Sequence, residues 1–275
     1  MNGLFSFSLL GYNLRLRTKN FLVWSLISLC LFILIIVMFT NLLNAGLPDF
    51  ISDMLSSVPS SVSSDPQAGS LPDFKDFGVN FGVCMQIMLI VGCVYASYLG
   101  ASANTGSRGD SDIVFIYSLP VTRIATVLTA FAAQVVTLFF YNLIVLLISL
   151  AMLYSNNKMD YLGKIILAAA AFLLIEMIYL STAFLLSTFM NTASQASSIS
   201  AVVVTVTVLF GIIGSMSDSL KIFKFLSPYT YVSVYAIVSG GSRMFFVGIA
   251  AGILIMLVSV VLSCARYEKI DFILD

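Results

Sequence analysis

Residues 124–157 read IATVLTAFAAQVVTLFFYNLIVLLISLAMLYSNN, with no Asp, Glu, Lys or Arg among them. About 20 predominantly apolar residues in a helix cross the roughly 30 Å hydrocarbon core of a bilayer, and this stretch exceeds that length. In lipid every backbone N–H and C=O must find its partner inside the segment, which leaves the helix as the structure for a single run of this kind. Working outward, further charge-free stretches lie at 20–48, 77–107, 177–217, 225–242 and 244–265. Their apolar density predicts six transmembrane helices, at about 21–43, 79–103, 122–153, 161–187, 197–216 and 244–265. The third, at about 1.5 Å per residue, measures about 48 Å and must tilt or project beyond the membrane. The run Asn191-Thr192-Ala193-Ser194-Gln195 divides the fourth span from the fifth.

Composition agrees. Of the 275 residues 60% are apolar and 9% charged, and mean hydropathy is +1.04. An ordinary soluble domain carries about 25% charged residues, so a water-soluble globular fold is excluded and the lipid bilayer is the partner. Thirteen basic residues balance thirteen acidic ones, so no cationic excess exists for nucleic acid. The absence of histidine removes histidine-dependent catalysis and most zinc sites. Cys30, Cys84, Cys93 and Cys264 lie in or beside apolar runs without a C-x-x-C pair, and read as small buried hydrophobes. No catalytic residues and no metal ligands are assigned.

The whole chain reads as one all-α membrane domain. Leu4, Phe7, Leu10 and Leu14 fall at helical spacing ahead of Arg15, Arg17 and Lys19, which predicts an interfacial helix over 1–20 that then turns into the first span. That span is about 23 residues long and no A-x-A cleavage signal follows, so it is expected to be retained. Its three leading basic residues set both termini on the cytoplasmic side of the cell membrane. Residues 44–78 form an extracellular loop, rich in Ser and Pro, in which Leu-Pro-Asp-Phe occurs at 47–50 and again at 71–74. Residues 225–242, with Pro228, Gly240 and Gly241, are too short and polar for a span. They predict a re-entrant or extracellular hairpin over about 222–241.

Glu176, Gln134, Asn142 and Gln86 fall inside the predicted spans as translocation-path candidates, and Thr205 and Thr207 could join the same polar surface. Glu176 is the one acid deep in a span, and an intramembrane carboxylate is costly enough to be a functional hypothesis by default. It is expected to face Gln134 or Asn142. The bland alternative is a helix–helix hydrogen bond with structural use alone.

The connector between spans two and three, 104–121, is the most informative stretch. Residues 107–123 read Ser107-Arg108-Gly109-Asp110-Ser111-Asp112-Ile113-Val114-Phe115-Ile116-Tyr117-Ser118-Leu119-Pro120-Val121-Thr122-Arg123. Asp110 or Ser111 can cap a short helix, and Pro120 suits the first turn of the third span. The stretch resembles the permease subunits of type-2 ATP-binding-cassette exporters, in which an acidic, glycine-containing run leads to Ser-Leu-Pro-Val-Ser/Thr-Arg. The Leu-Pro-Asp after span one, Leu226-Ser227-Pro228-Tyr229 between spans five and six, and the closing Arg266-Tyr267-Glu268-Lys269-Ile270-Asp271 occur in the family's order. Departures are Gly109-Asp110-Ser111-Asp112 for the usual Gly-Thr-x-Glu, Arg108 where relatives are commonly acidic, and an uncharged turn between spans four and five.

The resemblance implies a permease subunit of an ATP-driven exporter. It implies a separate ATPase subunit carrying ATP and Mg, and a second permease copy or paralogue forming a dimer. The implied ATPase-coupling residues are Gly109, Asp110, Asp112, Phe115, Tyr117, Leu119, Pro120 and Arg123. The implied substrate is amphiphilic: a drug, an antimicrobial peptide or a lipid. Consistently, the 275 residues contain no G-x-x-x-x-G-K-[ST] phosphate loop. An ion-coupled secondary transporter and a non-transporting scaffold or sensor are the rival readings. The first is disfavoured by a single buried acid and no visible internal repeat.

Overall fold

The structure, a computed structural model, describes residues 7–44, 76–105, 122–190, 192–216, 222–239 and 246–268. Helices α1 (Phe7–Asn44), α2 (Phe77–Thr105), α3 (Arg123–Ser155), α4 (Leu162–Ser187), α5 (Ala193–Met216) and α8 (Phe246–Glu268) form a bundle. Short α6 (Ile222–Leu226) and α7 (Val234–Ser239) lie between α5 and α8. Six helices are long and apolar enough to cross a membrane. Among the described residues the regular structure is helical.

The helix ends follow local rules. Thr122 is extended (φ −71°, ψ 147°) and its Oγ1 accepts from the Ala125 N–H at 3.3 Å, an N-cap that starts α3. At the other end Asn157 takes a left-handed conformation (φ 53°), and the Lys158 N–H returns to the Leu153 carbonyl at 3.1 Å. One 3-10 turn, Met159–Tyr161, then leads into α4. Thr192 caps α5 through the Gln195 N–H at 3.3 Å, within the polar run that the sequence marks as a break.

Residues 7–20 differ from the expected interfacial helix that turns into the first span. They run on into that span as one helix. No proline or glycine lies between Tyr12 and Asn44 to interrupt it.

Helices α2 and α4 form the centre, with α1, α3, α5 and α8 around them. Their close contact rests on small residues at four-residue spacing: Gly92, Ala96 and Gly100. A Cβ on Gly100 would stand 2.2 Å from the Leu180 carbonyl oxygen, so the two backbones meet where only glycine fits. Tyr95, Tyr141, Tyr179, Phe32, Phe172 and Phe184 fill the buried interior. Leu22, Leu26, Ile33, Val37 on α1 and Leu254, Leu257, Val261 on α8 point outward, as residues solvated by lipid do.

The segment expected to be a hairpin folds back on α2. The Tyr229 hydroxyl donates to the Gln86 carbonyl at 3.3 Å, and the Gln86 side-chain oxygen accepts from the Tyr235 N–H at 3.2 Å. Gln86 lies about two and a half turns into α2. Within the segment Tyr231 donates to the Phe225 carbonyl at 2.7 Å and Thr230 to the Lys224 carbonyl at 3.0 Å. Val232, Val234 and Val238 are buried. Irregular backbone is thus satisfied against protein.

Candidate functional site: a polar seam inside the bundle

Glu176 sits on α4, fully enclosed. Asn142 of α3 donates its amide N–H to Glu176 Oε2 and its other to the Leu138 carbonyl at 3.1 Å. Glu176 Oε1 has no hydrogen-bond partner among the described residues. It lies against α2 at Gly92, where a Cβ would fall 1.8 Å away. The missing side chain of Gly92 is therefore the space that the carboxylate occupies. Of the two expected neighbours, Asn142 meets Glu176 and Gln134 does not.

Gln134 is equally enclosed but belongs to a different contact, two helical turns or more along α3. Oriented to suit its surroundings, its amide oxygen accepts from Arg17 Nε at 2.7 Å and from both terminal guanidinium nitrogens at 3.2 Å. Arg17 also donates to the Ser102 hydroxyl and, at 2.6 Å, to the Ser102 carbonyl. One guanidinium on α1 therefore binds α2 and α3 together.

Aromatic side chains occupy the level between these contacts. The Tyr95 ring packs tilted against Tyr141, with centroids 4.7 Å apart, and against Trp24 at 5.3 Å. The Tyr141 hydroxyl pairs with Ser28 at 2.9 Å, and Asn20 donates to Tyr98 at 3.2 Å. The Tyr95 hydroxyl is buried without a partner among the described residues. The seam thus runs through α1, α2, α3 and α4, with a carboxylate at one level and a guanidinium at another.

The other predicted residues are placed differently. Gln86 lies outside the seam and anchors the segment before α8. Arg123 opens α3, with its side chain outside the described residues. Gly109, Asp110, Asp112, Phe115, Tyr117, Leu119 and Pro120 all lie outside the described residues, as do both Leu-Pro-Asp-Phe copies. Many in-span hydroxyls bond within their own helix: Thr129 to the Ala125 carbonyl at 2.6 Å, Thr137 to Ala133 at 2.8 Å, Ser149 to Val145 at 2.8 Å. Such groups meet their donor requirement within their own helix.

Arg17, Ser102 and Gly92 are missing from the sequence-derived site. Arg17 reads in sequence as one of three orienting charges. The signal available for Gly92 was its four-residue spacing with Ala96 and Gly100.

A family model described as ABC-2 family transporter protein matches residues 15–272. No curated protein shows a match to the chain.

Proposed function

The chain belongs to the ABC-2 transporter family, and from that premise we propose how this multi-pass transmembrane subunit works. Membership implies an ABC ATPase partner. The observation that carries the reading is the pairing of a near full-length family match with a sequence lacking a phosphate loop. We take the ATPase, with its ATP and Mg, to be a separate polypeptide, so that this chain is not itself an enzyme and holds no cofactor.

The proposed direction is export, and the proposed substrate class is amphiphilic. Two copies, or this chain and a paralogue, enclose the path and alternate between closed and open arrangements, with ATP binding biasing the equilibrium. The supporting observation is that Gln86, Gln134 and Asn142 are each engaged by partners within one copy. Outward polar positions include Ser194, Ser198 and Thr205 along one side of α5. A path between copies, along that side, is the arrangement one bundle leaves open. Glu176 is then an internal contact whose rearrangement accompanies the transition. The proposed topology has both termini on the cytoplasmic side of the cell membrane, and residues 107–119 are the proposed surface for the ATPase.

The test is purification of the tagged chain from its native host in mild detergent, with mass spectrometry of its partners. A P-loop ATPase is expected at fixed ratio, and lost when Phe115 and Tyr117 are changed to Ala in a folded chain. A chain that purifies alone, from membranes with no associated ATPase, moves the assignment to ion-coupled transport or a scaffold.

A further inference from the structure

Arg17 is the one cation whose described contacts join three helices, and the place where it does so is specific. Ser102 stands three residues before the end of α2, and Gln134 about three turns into α3. Residues 106–121 connect those two helices. Arg17 therefore joins α1 to the last turn of α2, where the connector begins, and to α3 about 16 Å inside the helix that the connector leads into. Its acceptors are a hydroxyl, a carbonyl and an amide oxygen, all neutral. A guanidinium presents five N–H groups in a rigid plane and can serve acceptors on two sides at once; an ammonium is a point charge on a flexible stem. Two nearby contacts reinforce the α1–α2 junction: Asn20 to Tyr98 at 3.2 Å and Trp24 against Tyr98 at 5.9 Å.

We propose that Arg17 is a positioning residue for energy coupling: it clamps α1, the last turn of α2 and the body of α3 together, so that force entering α2 and α3 from the connector moves three spans as one. The proposal rests on the reading that residues 107–119 meet an ATPase. It assigns Arg17 a geometric task beyond the positive charge that helps set membrane orientation.

The test exploits the difference between charge and fork. Arg17→Lys keeps the charge, hence the orientation, and loses the two-sided grip. Two quantities are measured: amide hydrogen exchange of residues 7–20 in the full chain in lipid nanodiscs, and ATP hydrolysis by the assembled complex. R17K is expected to exchange faster over 7–20 and to lower ATP turnover roughly tenfold, with KM for ATP and the permease-to-ATPase ratio unchanged. Unchanged exchange, or faster exchange with wild-type turnover, overturns the proposal. Should R17K fail to assemble, Gln134 decides. Q134E keeps an acceptor and is expected to retain turnover, whereas Q134L removes it and is expected to lose turnover. Equal behaviour of the two overturns the proposal. If the wild-type chain brings down no ATPase, the coupling role falls with the reading beneath it, while the exchange data still report whether the clamp exists.

Discussion

Glu176 and Gly92 share one volume. Gly92→Ala drives a methyl into the carboxylate and the Phe172 ring, where a Cβ would stand 2.8 Å from the ring. Overpacking of this kind costs about 1–3 kcal/mol, and it is expected to lower the thermal midpoint of the detergent-solubilised chain. Shortening the acid in the double variant Gly92→Ala/Glu176→Ala relieves the closer of the two clashes, that with the carboxylate, so the pair is expected to be non-additive. Additive losses in a thermal-shift cycle would show that the two do not share space. Glu176→Gln preserves size and a hydrogen bond to Asn142, so expression and assembly are expected to survive. Its effect on transport separates a working carboxylate from helix glue: impaired transport by an assembled complex supports the first, and wild-type transport the second.

At the scale of the element, the helix ends are the legible parts. The start of α3 rests on Thr122. Thr122→Ala is expected to cost about 1 kcal/mol of local stability, while Thr122→Asp keeps an acceptor at the cap. Hydrogen exchange over 123–127 measures this directly, and equal protection in both variants would refute the cap. Asn157 ends the same helix at positive φ. Asn157→Gly is expected to be tolerated and Asn157→Val to destabilise the α3–α4 turn, because a β-branched side chain resists that backbone conformation. Stability of the two in the same detergent is the check.

The first helix shows why one element was only half legible. Leu4, Phe7, Leu10 and Leu14 mark an amphipathic stretch, and the charges that follow mark the membrane boundary. Neither states whether the chain bends between them. Thirty-eight unbroken helical residues span about 57 Å, so α1 extends well past the hydrocarbon core. This length brings Arg17 level with Ser102 near the end of α2.

For the whole molecule, the expected topology has both termini cytoplasmic. Cysteine-accessibility labelling in oriented membranes tests it: residues introduced near Lys19 and Arg266 are expected to react from the same, cytoplasmic, side. Opposite reactivity would overturn the six-span topology. Within the bundle, the Arg266 guanidinium lies 5.5 Å over the Phe189 ring, tying the end of α8 to the turn after α4. With the Arg17 contacts, the bundle end beside the connector is thus held at two places. Between Leu22 and Met38 on α1, and between Ile253 and Leu262 on α8, the large side chains turned outward are apolar. The polar groups in the central spans are instead mostly consumed inside the bundle or within their own helix.

Six helices long and apolar enough to cross a membrane, the polar break between the fourth and fifth, and the family likeness were all readable from residue order. The reason is that in lipid a backbone must close its hydrogen bonds locally, so apolar length alone forces each helix. Motifs such as Ser118-Leu119-Pro120-Val121-Thr122-Arg123 are likewise local. Partnerships between spans are not local. Arg17 and Ser102 are 85 positions apart, and Asn142 and Glu176 are 34 apart. Whether two such groups meet depends on how each helix is rotated and how near its neighbour comes, and small residues such as Gly92 and Gly100 set that distance. Gln134 and Asn142 look alike in the sequence, both amides on one helix. Packing gave one to a guanidinium and the other to a carboxylate.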